Sequence, residues 1–304
     1  MPATAAALET CPAQLTREHL ERYEADGCLA FDAFLTPYEV GSLQSAMREI
    51  ITELHGRARS GELKMERSNW DALRNYSGYK IEVPGTQYGV LMEPDIEMKI
   101  DTVTIDEIDA SYRKLAHPSR GHVAFKGLAE HPRLVAMLDA LIGQGAILYG
   151  DMALCKPPLI GSPKPWHQDS AYFAYAPYGA GVDVWIALDD ASVENGCMFV
   201  IPGAHKLGPK KHVHGDDCMV ADGRYDYSKA VPVEMKAGGI LLFSPMLPHY
   251  TPPNRSELRR RAAQIFYRAA HTRLISGEEH EAQFVEADGT PATCSAAKKT
   301  RMPG

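Results

Sequence analysis

The chain has 304 residues, 45% of them hydrophobic and 23% charged, with 32 basic against 39 acidic residues and a formal net charge of −7. A protein this long buries about 75% of the surface its unfolded chain exposes, so it needs neither disulfides nor a structural metal to fold, and a metal here would be functional. The negative balance argues against a nucleic-acid partner, the cluster Lys206, Lys210, Lys211 and His212 being too small to reverse it, and no run approaches the ~18 apolar residues of a membrane span.

In chain order, residues 1–10 lack a basic region and carry Glu9 early, which argues against a secretory signal and predicts a cytoplasmic protein. Leu15-Thr16 precedes a charged run with Leu20 and Tyr23 on one face, and Gly27 stands where a helix C-cap belongs. A short extended piece over 28–34 follows. Thr36-Pro37-Tyr38-Glu39 forms a capping box with proline at the first helical position, and Val40, Leu43, Met47, Ile50, Ile51 and Leu54 continue at helical spacing. Residues 56–118 combine many charges, weak periodicity and turn residues at Pro84-Gly85 and Pro94, which fits a lid over a site or a decorated surface loop region. A second amphipathic helix opens at His131-Pro132, carries Leu134, Val135, Leu138, Leu141 and Ile142, and stops at Gly143.

From there to about residue 270 strand-like runs recur between turn signals, at 146–154, 170–174, 182–188, 198–201, 231–235, 240–243 and 262–267. Short strands without intervening helices describe a jelly roll or a related cupin-like barrel. A Rossmann fold would interleave helices. Residues from 275 onward are polar and read as a peripheral or frayed tail. Length alone admits two domains, but the pattern reads as one mainly-β domain over 1–304: a helical support over 15–145 with the insert 56–118, a β core over 146–270 and a C-terminal tail over 271–304.

The six cysteines, Cys11, Cys28, Cys155, Cys197, Cys218 and Cys294, show no C-x-x-C pair and are expected to be free thiols. The twelve histidines are the more informative residue type. His-x-Asp occurs at His167-Gln168-Asp169 and at His214-Gly215-Asp216. On a strand, residues two apart share a face, so such a pair can grip one metal ion. Chance alone accounts for about one pair in a chain of this composition, so one of the two should be noise. His167 follows Lys164-Pro165-Trp166 and precedes an aromatic run, whereas His214 lies among Gly, Lys and Asp residues in a connecting loop, where a histidine is ordinarily just solvated.

A third ligand must come from a distant strand. His249 follows the apolar run 240–243 and lies 82 residues after His167, enough chain to circle a barrel. Two histidines and a carboxylate form a facial triad that leaves open positions on Fe(II). Arg259-Arg260-Arg261 then enters an apolar strand. Alternate side chains face opposite sides of a sheet, so at least one arginine points inward and needs an anion, either an internal acid or a bound carboxylate. Strand alternation alone does not choose among the three.

Trp166-His167-Gln168-Asp169, Val184-Trp185-Ile186-Ala187-Leu188-Asp189-Asp190, Glu194-Asn195-Gly196-Cys197, Pro202-Gly203-Ala204-His205, and His249 followed eleven residues later by Arg260 occur in this order. Together they resemble the phytanoyl-CoA dioxygenase family of Fe(II)- and 2-oxoglutarate-dependent oxygenases, over about residues 15–270. The resemblance implies a double-stranded β-helix with His167, Asp169 and His249 as iron ligands. It selects Arg260, by its offset from His249, to pair the distal carboxylate of 2-oxoglutarate, with Ser256 as a hydroxyl donor beside it. Met152, Gln168 and Trp185 would line the cosubstrate pocket, and Lys156 holds a common lysine position. Pro202-Gly203-Ala204-His205 departs from the family's usual Pro-Gly-Ser-His, and that loop reads as structural. Asp169 is intact where related halogenases carry a small residue, so halogenation is disfavoured.

What the resemblance implies is oxidative decarboxylation of 2-oxoglutarate with O₂ to succinate and CO₂, coupled to hydroxylation of an unactivated C–H bond in a small metabolite. Desaturation, epimerisation, rearrangement or endoperoxide formation would use the same chemistry, and a non-redox cupin-like metal protein is the remoter alternative. The expected partner is a small-molecule substrate, with no nucleic acid and no membrane; the oligomeric state is left open, a homo-oligomer included.

Overall fold

The structure is a computed structural model that describes residues 8–69, 77–94, 96–214 and 217–294. The opening helix Arg17–Asp26 and the long helix Pro37–Arg59 start at Thr16 and Thr36, each with a reciprocal capping box. These caps satisfy amide groups that a helix start leaves unpaired. The helix Pro132–Ile142 lies between His131 and Gly143, where the periodicity puts it.

Nine antiparallel strands form the larger sheet, in the order Cys28–Phe31, Ile240–Phe243, Gly181–Ala187, Arg260–Arg268, Ile147–Lys156, Tyr112–Ala116, Gly89–Met92, Ser77–Glu82 and Met65–Asn69. Val231–Val233, Met198–Val200, His249–Thr251 and Lys164–His167 form a four-stranded sheet facing its central part. The central strands are continuous apolar runs because both of their faces are covered. Val184, Ile186, Leu242 and Ile265 pack with Leu43, Met47, Ile50 and Leu54 of the long helix. Their alternates Trp185, Ala187, Leu241, Phe243 and Ala262 pack against Met198, Val200 and Val233 of the smaller sheet. Among the described residues, no helix is long and apolar enough to cross a membrane.

Several expectations change. The segment 56–118 is not a loop region: the long helix runs to Arg59, and four strands after it widen the larger sheet, with the helix Ile105–Ser111 opened by a capping box at Thr104. Its periodicity is hidden because the outlying strands carry charges such as Glu66, Lys80 and Glu82, which pair with one another across and along the sheet. No strand forms over 170–174. Turn bonds from Ala171 N to Gln168 O and from Tyr172 N to Asp169 O close a single 3₁₀ turn instead.

The tail is not frayed up to residue 294. The helix Gly277–Gln283 leads to Phe284, Ala292 and Cys294, all fully buried. His280 Nε2 meets the Ser170 carbonyl at 3.0 Å, and Cys294 N donates to the Ala171 carbonyl at 3.1 Å. Cys218 and Cys294 are joined in a disulfide, which corrects the expectation of six free thiols. A pairing across 76 residues leaves no local spacing to recognise. His214, read as a loop residue, ends a strand of the small ribbon His212–His214 and Cys218–Val220, while Asp216 lies outside the described residues.

Two contacts hold this scaffold at the ends of its strands. Gly27, at φ 79° after the opening helix, has no room for a side chain, because a Cβ there would overlap the ring of His205 from the Pro202-Gly203-Ala204-His205 loop. His212 sits under the strand that ends at His167: its Nε2 accepts from Gln168 N at 3.0 Å, while its Nδ1 faces the carbonyls of Lys210 and Ala292 at 2.7 and 3.0 Å. That network fits one neutral tautomer. Burial, helped by nearby His167, lowers its pKa from the ordinary 6.5 to about 3.

Gly27→Ala should therefore lose about 2–3 kcal/mol in urea unfolding, from the strained φ plus the ring overlap. Gly61→Ala, also at positive φ but facing open space, should lose only about 1 kcal/mol; equal losses would show that the His205 contact is immaterial. For His212 the unfolded chain takes up the proton first. Its stabilising effect is complete above pH 6.5 and is lost as pH falls toward 3. The urea midpoint should fall over that window, and His212→Gln should flatten the slope; an unchanged slope would assign the acid sensitivity elsewhere.

Candidate functional site

The two sheets bring the predicted triad together. His167 and His249 are direct partners on neighbouring strands of the smaller sheet, with ring centroids 4.1 Å apart. His167 Nδ1 lies 2.8 Å from the Pro165 carbonyl and His249 Nδ1 lies 3.0 Å from the Leu247 carbonyl. Donation to those carbonyls leaves both Nε2 atoms bare and aimed at Asp169, the arrangement that metal-binding imidazoles use. The distances from Nε2 to the Asp169 oxygens are 3.4 Å for His167 and 3.5 Å for His249.

Metal bonds of about 2.1 Å meeting at right angles separate their donor atoms by about 3 Å, so a small contraction would close this set on an ion. The donor atoms all lie within 4.8 Å of one another, and the three residues are buried. Burial opposes the charge on Asp169, but the two imidazoles outweigh it and hold its carboxyl below the usual range. Burial and His167 together lower His249 to about 4, so both favour the protonation states of metal ligands at neutral pH.

The three arginines separate cleanly. Arg259 pairs with Asp109 at 2.8 Å, and Arg261 grips Asp189 through two bonds of 2.8 Å. Arg260, between them, points into the space between the sheets, 1% exposed, with Nε and one terminal nitrogen lacking any partner. Its guanidinium lies over the Trp185 ring, 5.4 Å from the centroid, and burial pulls its pKa down to about 10. Lys156 is its partner across the sheet and is equally buried, held well below the ordinary lysine range by burial and by Arg260. Lys156 Nζ donates to the Ser162 carbonyl. Gly196 gives this lysine its room, since a Cβ there would come within 2.6 Å of Lys156 Cδ and 2.7 Å of the Pro252 carbonyl. A buried guanidinium with unpaired donors calls for an anion.

Among the other predicted residues, Trp185 is fully buried beside Arg260 with its own Nε1 unpartnered, and Met152 is half-buried opposite Gln264. Gln168 instead uses its amide on the backbone: it donates to Met246 O at 2.9 Å and Gly208 O at 3.2 Å and accepts from Lys210 N at 2.9 Å. Ser256 likewise hydrogen-bonds inside its own turn, to Asn254 Oδ1 at 2.9 Å.

Sequence reasoning missed two inward residues. Gln264 Nε2 donates to Asp169 Oδ2 at 3.3 Å. It stands four residues after Arg260 on the same strand and hence on the same face, a signal that was there to be used. Asp183, the one acid in the strand Gly181–Ala187, shares the Trp185 face; burial and then the Asp169 charge raise its carboxyl well above the usual range.

Comparison with known proteins agrees with this geometry. The mouse phytanoyl-CoA dioxygenase domain-containing protein 1 is 27% identical over 267 residues, 83% of this chain and 89% of its own. The Arabidopsis thaliana phytanoyl-CoA dioxygenase is 27% identical over 263 residues, 83% and 88% of the two chains. Among solved structures, EvdO2 from Micromonospora carbonacea var. aurantiaca complexed with 2-oxoglutarate superposes with a TM-score of 0.57 at 21% identity, covering 88% of this chain and 96% of that one. The epimerase SnoN in complex with Fe3+, alpha ketoglutarate and nogalamycin RO gives 0.57 at 20% identity over 91% and 95%. At such identities the structural likeness carries the fold, a double-stranded β-helix. The family model for phytanoyl-CoA dioxygenase (PhyH) matches residues 23–262, and the chain belongs to that family of 2-oxoglutarate-dependent non-haem iron oxygenases.

Proposed function

We propose that the protein hydroxylates an unactivated C–H bond of a small metabolite or natural-product intermediate, using Fe(II) at His167, Asp169 and His249 and 2-oxoglutarate held by Arg260. The observation that carries this reading is the conjunction of a facial His-Asp-His set with a buried guanidinium that has no anion of its own. Bound iron and 2-oxoglutarate would supply the oxidising equivalents from O₂ and release succinate and CO₂.

The chain's residues do the rest. His167 and His249 present neutral Nε2 atoms because their Nδ1 protons are held by backbone carbonyls. Asp169 supplies the one anionic donor, and Gln264 holds its second oxygen. Arg260 offers a planar fork suited to a carboxylate, steadied by the Trp185 ring, and Lys156 stands opposite it across the sheet. Arg260 and Gln264 are separated by four residues of strand, about 13 Å along the backbone, and the arginine side chain shortens that span from its own end. All three triad residues are buried, so water is kept from the reacting bond.

Anaerobic addition of Fe(II) and 2-oxoglutarate should produce a visible metal-to-ligand charge-transfer band that is lost in Asp169→Ala; its absence from the wild type would sink the oxygenase reading and leave a non-redox metal protein. Arg260→Leu should weaken 2-oxoglutarate binding by about 30-fold or more while Fe(II) still binds the triad. Its ligand-free melting temperature should not fall, because an unpaired buried cation has been removed. Mass analysis of the product separates hydroxylation from desaturation, epimerisation or ring formation.

A further inference from the structure

Three contacts made by the C-terminal segment converge on the residues around Asp169. His280 Nε2 donates to the Ser170 carbonyl at 3.0 Å, and Cys294 N donates to the Ala171 carbonyl at 3.1 Å. The Ala292 carbonyl lies 3.0 Å from Nδ1 of His212, the residue whose Nε2 accepts from Gln168 N at 3.0 Å. The backbone on both sides of Asp169 is thus held from residues 280–294, beyond the 23–262 that the family model matches.

The apolar side chains of this segment form a small cluster of their own. Phe284, Ala292 and Cys294 pack with Ala171, Cys218 and Met246, apart from the main core. A small satellite cluster opens locally more readily than a central core does. Its covalent tie is the disulfide between Cys218 and Cys294. Both half-cystines also touch the turn after Asp169: Cys294 through its amide, as above, and Cys218 through its carbonyl, which accepts from the Tyr172 hydroxyl at 3.3 Å.

The bland reading is a staple that merely adds stability. A chain of this length has core enough to fold without one, and Cys11, Cys28, Cys155 and Cys197 remain free thiols. A staple also gives no reason for both ends of the bond to rest on the turn that carries a metal-ligand candidate. Groups that orient a ligand from behind set how well it holds its metal.

We propose that residues 276–294 are a strap that positions Asp169, and that the Cys218–Cys294 bond makes its hold redox-sensitive, closed when oxidised and released when reduced. The inference rests on the oxygenase reading above and adds a regulation of the same site. The reductant is a dithiol. One of its thiolates attacks a disulfide sulfur to give a mixed disulfide, and its second thiol displaces the protein sulfur. The dithiol leaves as a cyclic disulfide, having given two electrons and two protons, and Cys218 and Cys294 become thiols. Both are fully buried, so attack requires the strap to open first, and reduction then keeps it from being held shut.

The test compares air-oxidised, metal-free protein with the same protein after dithiothreitol, which is removed without air before any iron is added. Alkylation and mass analysis should find Cys218 and Cys294 blocked before reduction and labelled after it. Amide hydrogen exchange over 168–172 and 276–294 should rise about 10-fold on reduction, with exchange in the helix Pro37–Arg59 unchanged. The Fe(II) concentration that half-saturates the charge-transfer band should rise about 10-fold and return on reoxidation. Cys294→Ser should match the reduced protein under both conditions. His280→Ala should weaken Fe(II) binding with the disulfide intact, and His280→Gln, which keeps a donor, should weaken it less. Labelling of both cysteines in the oxidised protein, exchange that rises alike throughout the chain, or equal exchange over 168–172 and equal Fe(II) dependence in the two states would each overturn the proposal. Absence of the band in both states would instead overturn the oxygenase reading, and the exchange measurement would still decide whether the strap holds the turn.

Discussion

The antiparallel register that sets His249 opposite His167 is the constraint on which the site depends. Both imidazoles come from short strands of the smaller sheet, and Asp169 follows on the turn that ends one of them. Arg260, Gln264, Trp185 and Asp183 come from the larger sheet. The site therefore exists only where the two sheets face each other, and a one-residue slip of the strand His249–Thr251 would turn its histidine out of the interior. Several otherwise unrelated contacts guard that register. Gln168 ties the end of the ligand strand to Met246, Gly208 and Lys210, His212 accepts from its amide, and the C-terminal segment braces the turn through Ser170 and Ala171.

How far the sequence discloses this structure depends on the range of each signal. Thr16, Thr36 and His131-Pro132 mark their helices because capping and periodicity are settled within a few residues. The strands 240–243 and 260–268 are legible as apolar runs because helices cover one face and the smaller sheet the other. The outlying strands Met65–Asn69 and Ser77–Glu82 are illegible because their charged residues face water or one another. The aromatic run 170–174 imitates a strand because packing around Phe173 and Tyr175, rather than a ladder, buries it. In the site, the triad stands out through spacing and Arg260 through the family resemblance, whereas Gln264 and His212 acquire their contacts only from neighbours 95 and 44 residues away in sequence.

Charge explains how a chain of net −7 accommodates an anionic cosubstrate. The acids lie mostly on the surface, while the Arg260 guanidinium is buried between the sheets with donors that no internal acid takes up. A field inside a dry interior is far stronger than the same charges at the surface. Such an arrangement is unfavourable in the ligand-free protein, which identifies it as a site where binding rather than folding completes the pairing.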